Sequence, residues 1–243
     1  NEDRAANVVR IMDTLFDGKI NSKNCSDLNI AAFVPIRGDL IQFENQYLLK
    51  KTINQIKDIG IINDIVISTD SKKTAAIAKK LGASKVIIRP EALSKDFVSV
   101  ADVIQFTLDE YERLFSKLDL IVLMEETYPF RDKKEVVLMI NTFLSEGKDS
   151  LIAVQDEKKG AWLNQGNSLT PLIEQTFMPR NLKSDSINIA QVGYCTLLRP
   201  QYVRFGDILG PNMGLYNIDR NINSIEVRTD NDMEAYIQLL GNF

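Results

Sequence analysis

The residues best suited to chemistry sit at a few turns. Arg37 and Gly38 follow the apolar run "AAFVP" (31–35) and precede a stretch with helical apolar spacing. A strand, a tight turn and a helix in that order open many nucleotide-binding α/β domains, where glycine lets backbone amides approach phosphate and an arginine fork neutralises it. Between Arg37 and Lys50, however, there is no Lys or Arg, only Asp39 and Glu44. At ~4 Å two unit charges in a partly screened site interact by about 4 kcal/mol, so acids at this turn oppose a triphosphate. The chain has no histidine, which removes every mechanism that needs an imidazole. A catalyst built from this sequence works by positioning, charge and metal.

Each polar residue at a turn also has a plain structural reading. Arg37 can pair with Asp39 or Glu44, and Arg89 with Asp96 or Glu91. Asp70 and Ser71 suit the cap of a helix. Thr127 and Pro129 can shape a strand-to-helix turn, although loops at the carboxyl ends of parallel strands are where such sheets bind ligands. Arg228, two residues beyond Glu226, reads as a surface or ion-paired arginine, or as a clamp on phosphate.

The elements that must position these residues alternate regularly. "IAAFV" is followed by a helix whose Leu48, Leu49, Thr52, Ile53 and Ile56 form one stripe, then by the strand "DIVIST". A helix capped at Asp70 or Ser71 ends at Gly82. "KVIIR" is a short strand, and Ser99 with Asp102 forms a capping box for a helix through Phe115. "DLIVLM" is an apolar strand, a helix runs from Asp132 to near Gly147, and "SLIAV" is another strand. Beyond 155 a hairpin is expected around Gln165–Gly166, then an excursion from the sheet over 174–188. "NIAQVGYCTLLR" and "NSIEV" read as further strands, and Thr229 with Asp232 caps a final helix. Apolar strands alternating with helices imply a mostly parallel sheet covered on both faces, a three-layer α/β/α sandwich with a small inserted β region.

The 243 residues suffice for one large domain. The expected division is a leading helix and polar linker over 1–28, in the manner of another domain's tail, and one domain over 29–243 with its insertion at about 156–190. A formal charge of −4 offers no field for a polyanion, so no nucleic-acid partner is expected. No apolar run reaches the ~20 residues of a membrane span. Cys25 and Cys195 fit no metal-ligand spacing, which favours a reduced, cytoplasmic protein, with a disulfide between them left open.

Three stretches, taken in order, resemble the CMP-sialic acid synthetase family, the acylneuraminate cytidylyltransferases, over roughly 30–240. "VISTDSKKTAAIAKKLGASKVIIRPEALSKDFVSVADVI" follows that family's strand, STDS, helix, GA, strand and RP run. "IVLMEETYPFRDKKEV" stands where its members have a strand and LQPTSPLR, and "SIEVRTDNDMEAY" where they have IDIDTEEDL. The resemblance implies a nucleotide-diphospho-sugar transferase type of Rossmann-like fold. It implies transfer of CMP from CTP to the anomeric hydroxyl of a nine-carbon sugar acid, with Mg²⁺ and release of pyrophosphate. It assigns catalysis to Arg37, nucleotide contacts to Arg37, Gly38, Arg89 and Ser99, sugar contacts to Glu125, Thr127 and Arg180, and the metal to Glu226; Arg228, at a position where the family has an aspartate, is the second catalytic candidate, as a phosphate clamp in place of the cation. Such enzymes also pair through the inserted arm, so Trp162 and Phe177 mark a homodimer contact, the plainer reading being a local satellite core.

Departures from the pattern fall at the reacting end. The loop after the first strand is several residues shorter than the family's RGGSKGIPGKN and lacks both lysines and the later glycines. The family's Asp-x-Asp becomes Glu226-Val227-Arg228, and a guanidinium cannot ligate Mg²⁺. Glu125 replaces a glutamine, Tyr128 a small serine and Val98 a smaller residue. Two functions follow: an active cytidylyltransferase for a sialic-acid-like sugar, or a catalytically impaired relative kept for binding, regulation or assembly.

Overall fold

The computed structural model describes residues 28–43, 46–166, 168–173, 177–183, 186–218 and 224–240. The leading helix expected before Asn29, and Cys25 with it, lie outside the described residues. The strands are β1 (Ile30–Ile36), β2 (Gln42–Phe43), β3 (Gln46–Tyr47), β4 (Asp64–Thr69), β5 (Lys85–Ile88), β6 (Leu120–Leu123), β7 (Ser150–Glu157), β8 (Trp162–Gln165), β9 (Ser168–Pro171), β10 (Ile187–Ala190), β11 (Thr196–Leu198) and β12 (Met213–Asn217). The α-helices are α1 (Leu48–Ile59), α2 (Lys72–Leu81), α3 (Val100–Leu114), α4 (Lys133–Ser145), α5 (Pro200–Val203) and α6 (Asp230–Leu240).

In the main sheet hydrogen-bonded neighbours follow β7-β11-β6-β1-β4-β5, and β7 also pairs with β10 and β12. Pairs β1–β4, β1–β6, β4–β5 and β7–β12 are parallel, whereas β11 is antiparallel to both β6 and β7. Because β1 and β6 are buried on both faces, nearly every residue in them is apolar. One face is covered by α1, α2 and α4, whose Ile53, Ile56, Ala78, Met139 and Phe143 meet Ala32, Val34 and Val122. The other is covered by α3 and α5, where Ile104, Leu108, Tyr111 and Val203 pack on Phe33, Ile121 and Leu123. The expected three-layer sandwich is therefore present.

Local signals place the helix starts. Ser71 accepts from the Thr74 amide, Ser99 and Asp102 form the reciprocal capping box, and Asp132 accepts from the Lys134 amide. Gly82 ends α2 in the left-handed region, at φ +102°. Thr229 accepts from Asp232 and opens α6 as expected.

Three expectations at the carboxyl-terminal end are corrected. "NIAQVGYCTLLR" is not one strand: Ala190 faces Val154 and Thr196 faces Ile152, so six steps here span two on β7. Gln191 donates to the Ala153 carbonyl and Ala153 donates to the Cys195 carbonyl, so both pieces lie along the same side of β7 with a wide bulge between them. "NSIEV" is not a strand over its described part, 224–227; the strand instead is Met213–Asn217, where a glycine and an asparagine mask the pattern. The excursion expected over 174–188 ends earlier, since Ile187 and Asn188 already pair with β7. The β8–β9 hairpin forms as expected, and its apolar side chains face solvent rather than a satellite core: Trp162 is 50% and Leu169 69% exposed, with Phe177 beyond it at 99%.

Candidate functional site

The carboxyl ends of β1, β4, β5 and β6 converge on one side of the sheet, with the turn after β1 on top. Gly38 takes φ +72°, a conformation that costs glycine little. Its amide donates to Asp70 Oδ1 at 2.9 Å, and its carbonyl accepts from Thr74 Oγ1 at 2.7 Å. The turn is thus tied to the start of α2 at both polar groups. Burial raises the Asp70 carboxyl, but hydrogen bonds led by the Gly38 amide, with the Arg89 charge, outweigh it and hold the group below its usual range. Arg37 pairs with Asp96 at 2.9 Å, not with Asp39, which takes Lys73 at 3.2 Å.

Arg89 pairs with neither Asp96 nor Glu91. It is buried, and its Nη1 and Nη2 donate to the carbonyls of Ser68 (2.6 Å) and Ile36 (3.0 Å), stapling the ends of β4 and β1. Burial lowers its pKa, and Asp70 restores part of the loss. Arg37, Arg89 and Glu125 border a cleft of about 290 Å³ whose apolar wall is Leu93, Val98, Val100 and Val103. Val98 and Val100 line it, while the Ser99 hydroxyl between them is engaged by Asp102 at 2.7 Å. Ser99 therefore serves as the cap of α3.

Glu125 follows β6 and is fixed from several sides. Its amide donates to the Gly193 carbonyl at 2.8 Å. Gly193, in the bulge between β10 and β11, packs so closely that a Cβ there would meet the Glu125 side chain at 2.7–2.9 Å. In front, Arg228 Nη2 reaches Glu125 Oε2 at 2.7 Å while its Nε binds Glu226 Oε1. Thr127 Oγ1 lies 3.4 Å from the same Glu125 oxygen, and the Thr127 carbonyl accepts from the Val227 amide at 2.7 Å. That bond anchors the 224–229 segment over the end of β6. Burial works against the Arg228 charge, but Glu125 and Glu226 outweigh it and raise its pKa.

The structure thus brings Glu125, Thr127, Glu226 and Arg228 together, with Glu125 shared by the cleft that holds Arg37 and Arg89. Arg180 lies in a short 3-10 turn (Arg180–Leu182), and its side chain is outside the described residues. These donors do not suit Mg²⁺. Among the described residues no three His, Cys, Asp or Glu side chains gather as a metal site, and the Glu125 and Glu226 carboxylates are bridged by one guanidinium.

Sequence reasoning missed two buried residues that support the site. Arg131 donates to the carbonyls of Glu125 (2.8 Å), Gly193 (2.9 Å) and Tyr194, and to Gln55 Oε1 (3.0 Å). Glu126 lies under the turn, its Oε1 3.4 Å from the Ile41 amide and its Oε2 without a partner. Charged residues are rarely fully buried, so neither type announces its position; the position of Arg131 within the LQPTSPLR-like stretch was the available signal.

Residues 39–183 match the family model described as cytidylyltransferase. CMP-N,N'-diacetyllegionaminic acid synthase of Legionella pneumophila is 27% identical over 132 residues, 53% of this chain and 57% of that protein. Pseudaminic acid cytidylyltransferase of Campylobacter jejuni is 22% identical over 149 residues, 60% of this chain and 64% of the relative. In both cases the chain spans less than two thirds of the relative's length. Among solved structures, CMP:2-keto-3-deoxy-manno-octonic acid synthetase complexed with CTP superposes with a TM-score of 0.66 at 11% identity, covering 88% of this chain and 99% of that one. A 4-diphosphocytidyl-2C-methyl-D-erythritol synthase from Anaerococcus prevotii gives 0.60 at 13% identity, covering 87% and 99%. These structural likenesses show a shared fold.

Proposed function

The chain belongs to the cytidylyltransferase family, and on that premise we propose that it keeps a cytidine-nucleotide pocket of the kind that serves sialic-acid-like sugar acids while transferring CMP from CTP poorly or not at all. Two of the relatives named above are a CMP-N,N'-diacetyllegionaminic acid synthase and a pseudaminic acid cytidylyltransferase, which supports the ligand class. In the transfer, the anomeric hydroxyl attacks the α-phosphorus, the bond to pyrophosphate breaks, and the hydroxyl proton is lost. Such chemistry depends on neutralising phosphate charge and aligning the groups.

One observation carries the loss of transfer: Arg228 bridges Glu125 and Glu226 where the resembled motif has metal-binding aspartates. Magnesium-dependent charge neutralisation then has no seat, and the turn at Gly38 spends its amide on Asp70. Removing a preorganised electrostatic contact of this sort costs about 10²–10³ in rate, and here two are altered together. With CTP, Mg²⁺ and a panel of nine-carbon sugar acids, pyrophosphate release should fall at least ~10³-fold below that of the Legionella synthase assayed alongside. Release at the control's rate with any sugar overturns the proposal, whether or not it needs Mg²⁺. Magnesium-independent release at that rate would make Arg228 the substitute for the metal.

The exposed β8–β9 ribbon fits a contact between two copies, since Trp162, Leu169 and Phe177 offer apolar surface that the single chain leaves in water. Sedimentation velocity should give a dimer that Trp162→Glu with Leu169→Glu converts to monomer. A monomer in the unaltered protein would sink this assignment.

A further inference from the structure

We propose that the cleft holds the phosphate of a cytidine nucleotide on the chain's own cations, with no divalent metal ion taking part in binding. This rests on the reading of the cleft as a cytidine-nucleotide pocket and specifies how the ligand's charge is met. Arg37, Arg89 and Lys95 border the cleft together with a single carboxylate, Glu125. Arg89 is buried; its Nη1 and Nη2 donate to the Ser68 and Ile36 carbonyls, and its Nε has no hydrogen-bond partner. Asp70 acts on it through space, without a direct ion pair. Lys95 is exposed, lies 5.9 Å from the Phe97 ring and pairs with no carboxylate among the described residues. Arg37 meets Asp96 through Nη1 at 2.9 Å, but the two side chains are 57% and 97% exposed, and such a pair is weak. Arg37 Nε and Nη2 have no partner among the described residues.

A magnesium ion needs hard oxygen ligands, and a protein site for it needs carboxylates free to supply them. The lining has one, and Arg228 already pairs with it at 2.7 Å. The same guanidinium binds Glu226, so a dication arriving between the two carboxylates would meet a positive charge already in place. Arg228 also offsets Glu125, the one group of the lining that would repel a phosphate. Guanidinium and ammonium groups bind phosphate oxygens directly, the first as a fork and the second as a point charge. The apolar lining of Leu93, Val98, Val100 and Val103 suits a base and a ribose.

Titration calorimetry with cytidine, CMP and CTP, each in EDTA and again in Mg²⁺, tests this directly. In EDTA, CMP should bind at least about tenfold more tightly than cytidine, because its phosphate meets fixed cations. Mg²⁺ should tighten neither CMP nor CTP, the nucleotide most able to carry the ion in, by more than about threefold. Lys95→Ala, at an exposed position whose folding thermal melting checks, should lower the ratio of CMP to cytidine affinity at least about threefold. A larger gain from Mg²⁺ for either nucleotide overturns the inference while leaving the cytidine pocket intact. A smaller CMP preference in EDTA, or a smaller fall of the ratio in the folded variant, overturns it as well. Failure of all three ligands to bind in both buffers overturns the pocket itself and the inference with it.

Discussion

Arg131→Met should lower the folding stability by about 3–5 kcal/mol, the largest effect expected from a single change near the site. The guanidinium is buried and reaches three backbone carbonyls, on Glu125, Gly193 and Tyr194, besides the Gln55 side chain. It also lies over the Tyr128 and Tyr194 rings, 5.8 and 5.7 Å from their centroids. Burial lowers its pKa to about 10, which still leaves it charged at neutral pH. Methionine fills much of the space but donates nothing. The Gly193 carbonyl keeps the Glu125 amide, but the Glu125 and Tyr194 carbonyls are stranded, each at a cost of roughly 1–3 kcal/mol, part of it recovered by relaxation. Lysine is no remedy, because one ammonium cannot span acceptors that a planar fork joins. Urea unfolding reads the loss as a lower midpoint at constant slope. A drop below about 1 kcal/mol would mean that the Glu125 and Tyr194 carbonyls find other donors.

The second large effect depends on pH. Burial raises the Glu126 carboxyl from 4.5 to about 7, with the Ile41 and Leu49 amides pulling the other way. Below pH 4.5 the group is protonated in both folded and unfolded chains and contributes no slope. Between 4.5 and about 7 the folded state holds the extra proton, so stability falls as pH rises; above that the penalty is constant. The shift corresponds to about 3 kcal/mol. Glu126→Gln keeps the acceptor and removes the titration. The variant should be about 1–3 kcal/mol more stable than the parent at pH 8, the lower figure allowing for its buried amide, and should gain little at pH 4.5. Denaturant curves at the two pH values decide the matter; parallel profiles for parent and variant would refute it.

Most of the scaffold was legible because local signals and the global fold agree. The apolar stripe of α1, the Ser99–Asp102 box and the left-handed Gly82 each follow from neighbouring residues alone. The strand at 213–217 was not legible, since "MGLYN" carries no clean alternation and borrows its order from β7. The bulge at 191–195 was hidden for a related reason: nothing local separates it from a continuous apolar strand.

At the site, sequence identified Glu125, Glu226 and Arg228 as departures from a pattern but could not reveal that they form one cluster. Glu125 and Arg228 are 103 positions apart, and their meeting depends on Val227 bonding to Thr127. Arg89 illustrates the opposite error. An arginine beside acids in sequence invites an ion pair, whereas burial beside the ends of β1 and β4 supplies two carbonyls as partners instead. The Asp96 expected for it went to Arg37.

The placement of β11 bears on how the chain is made. Strands β6 and β7 are successive in the chain, yet they do not pair with each other, because residues 196–198 lie between them. A nascent polypeptide that has emerged only through Glu157 carries two apolar strands with open edges that await a segment still in the ribosome. Any product truncated before Thr196 leaves those edges free to capture each other or a neighbouring chain. Recovery of soluble protein from nested carboxyl-terminal deletions should therefore collapse once that short strand is lost.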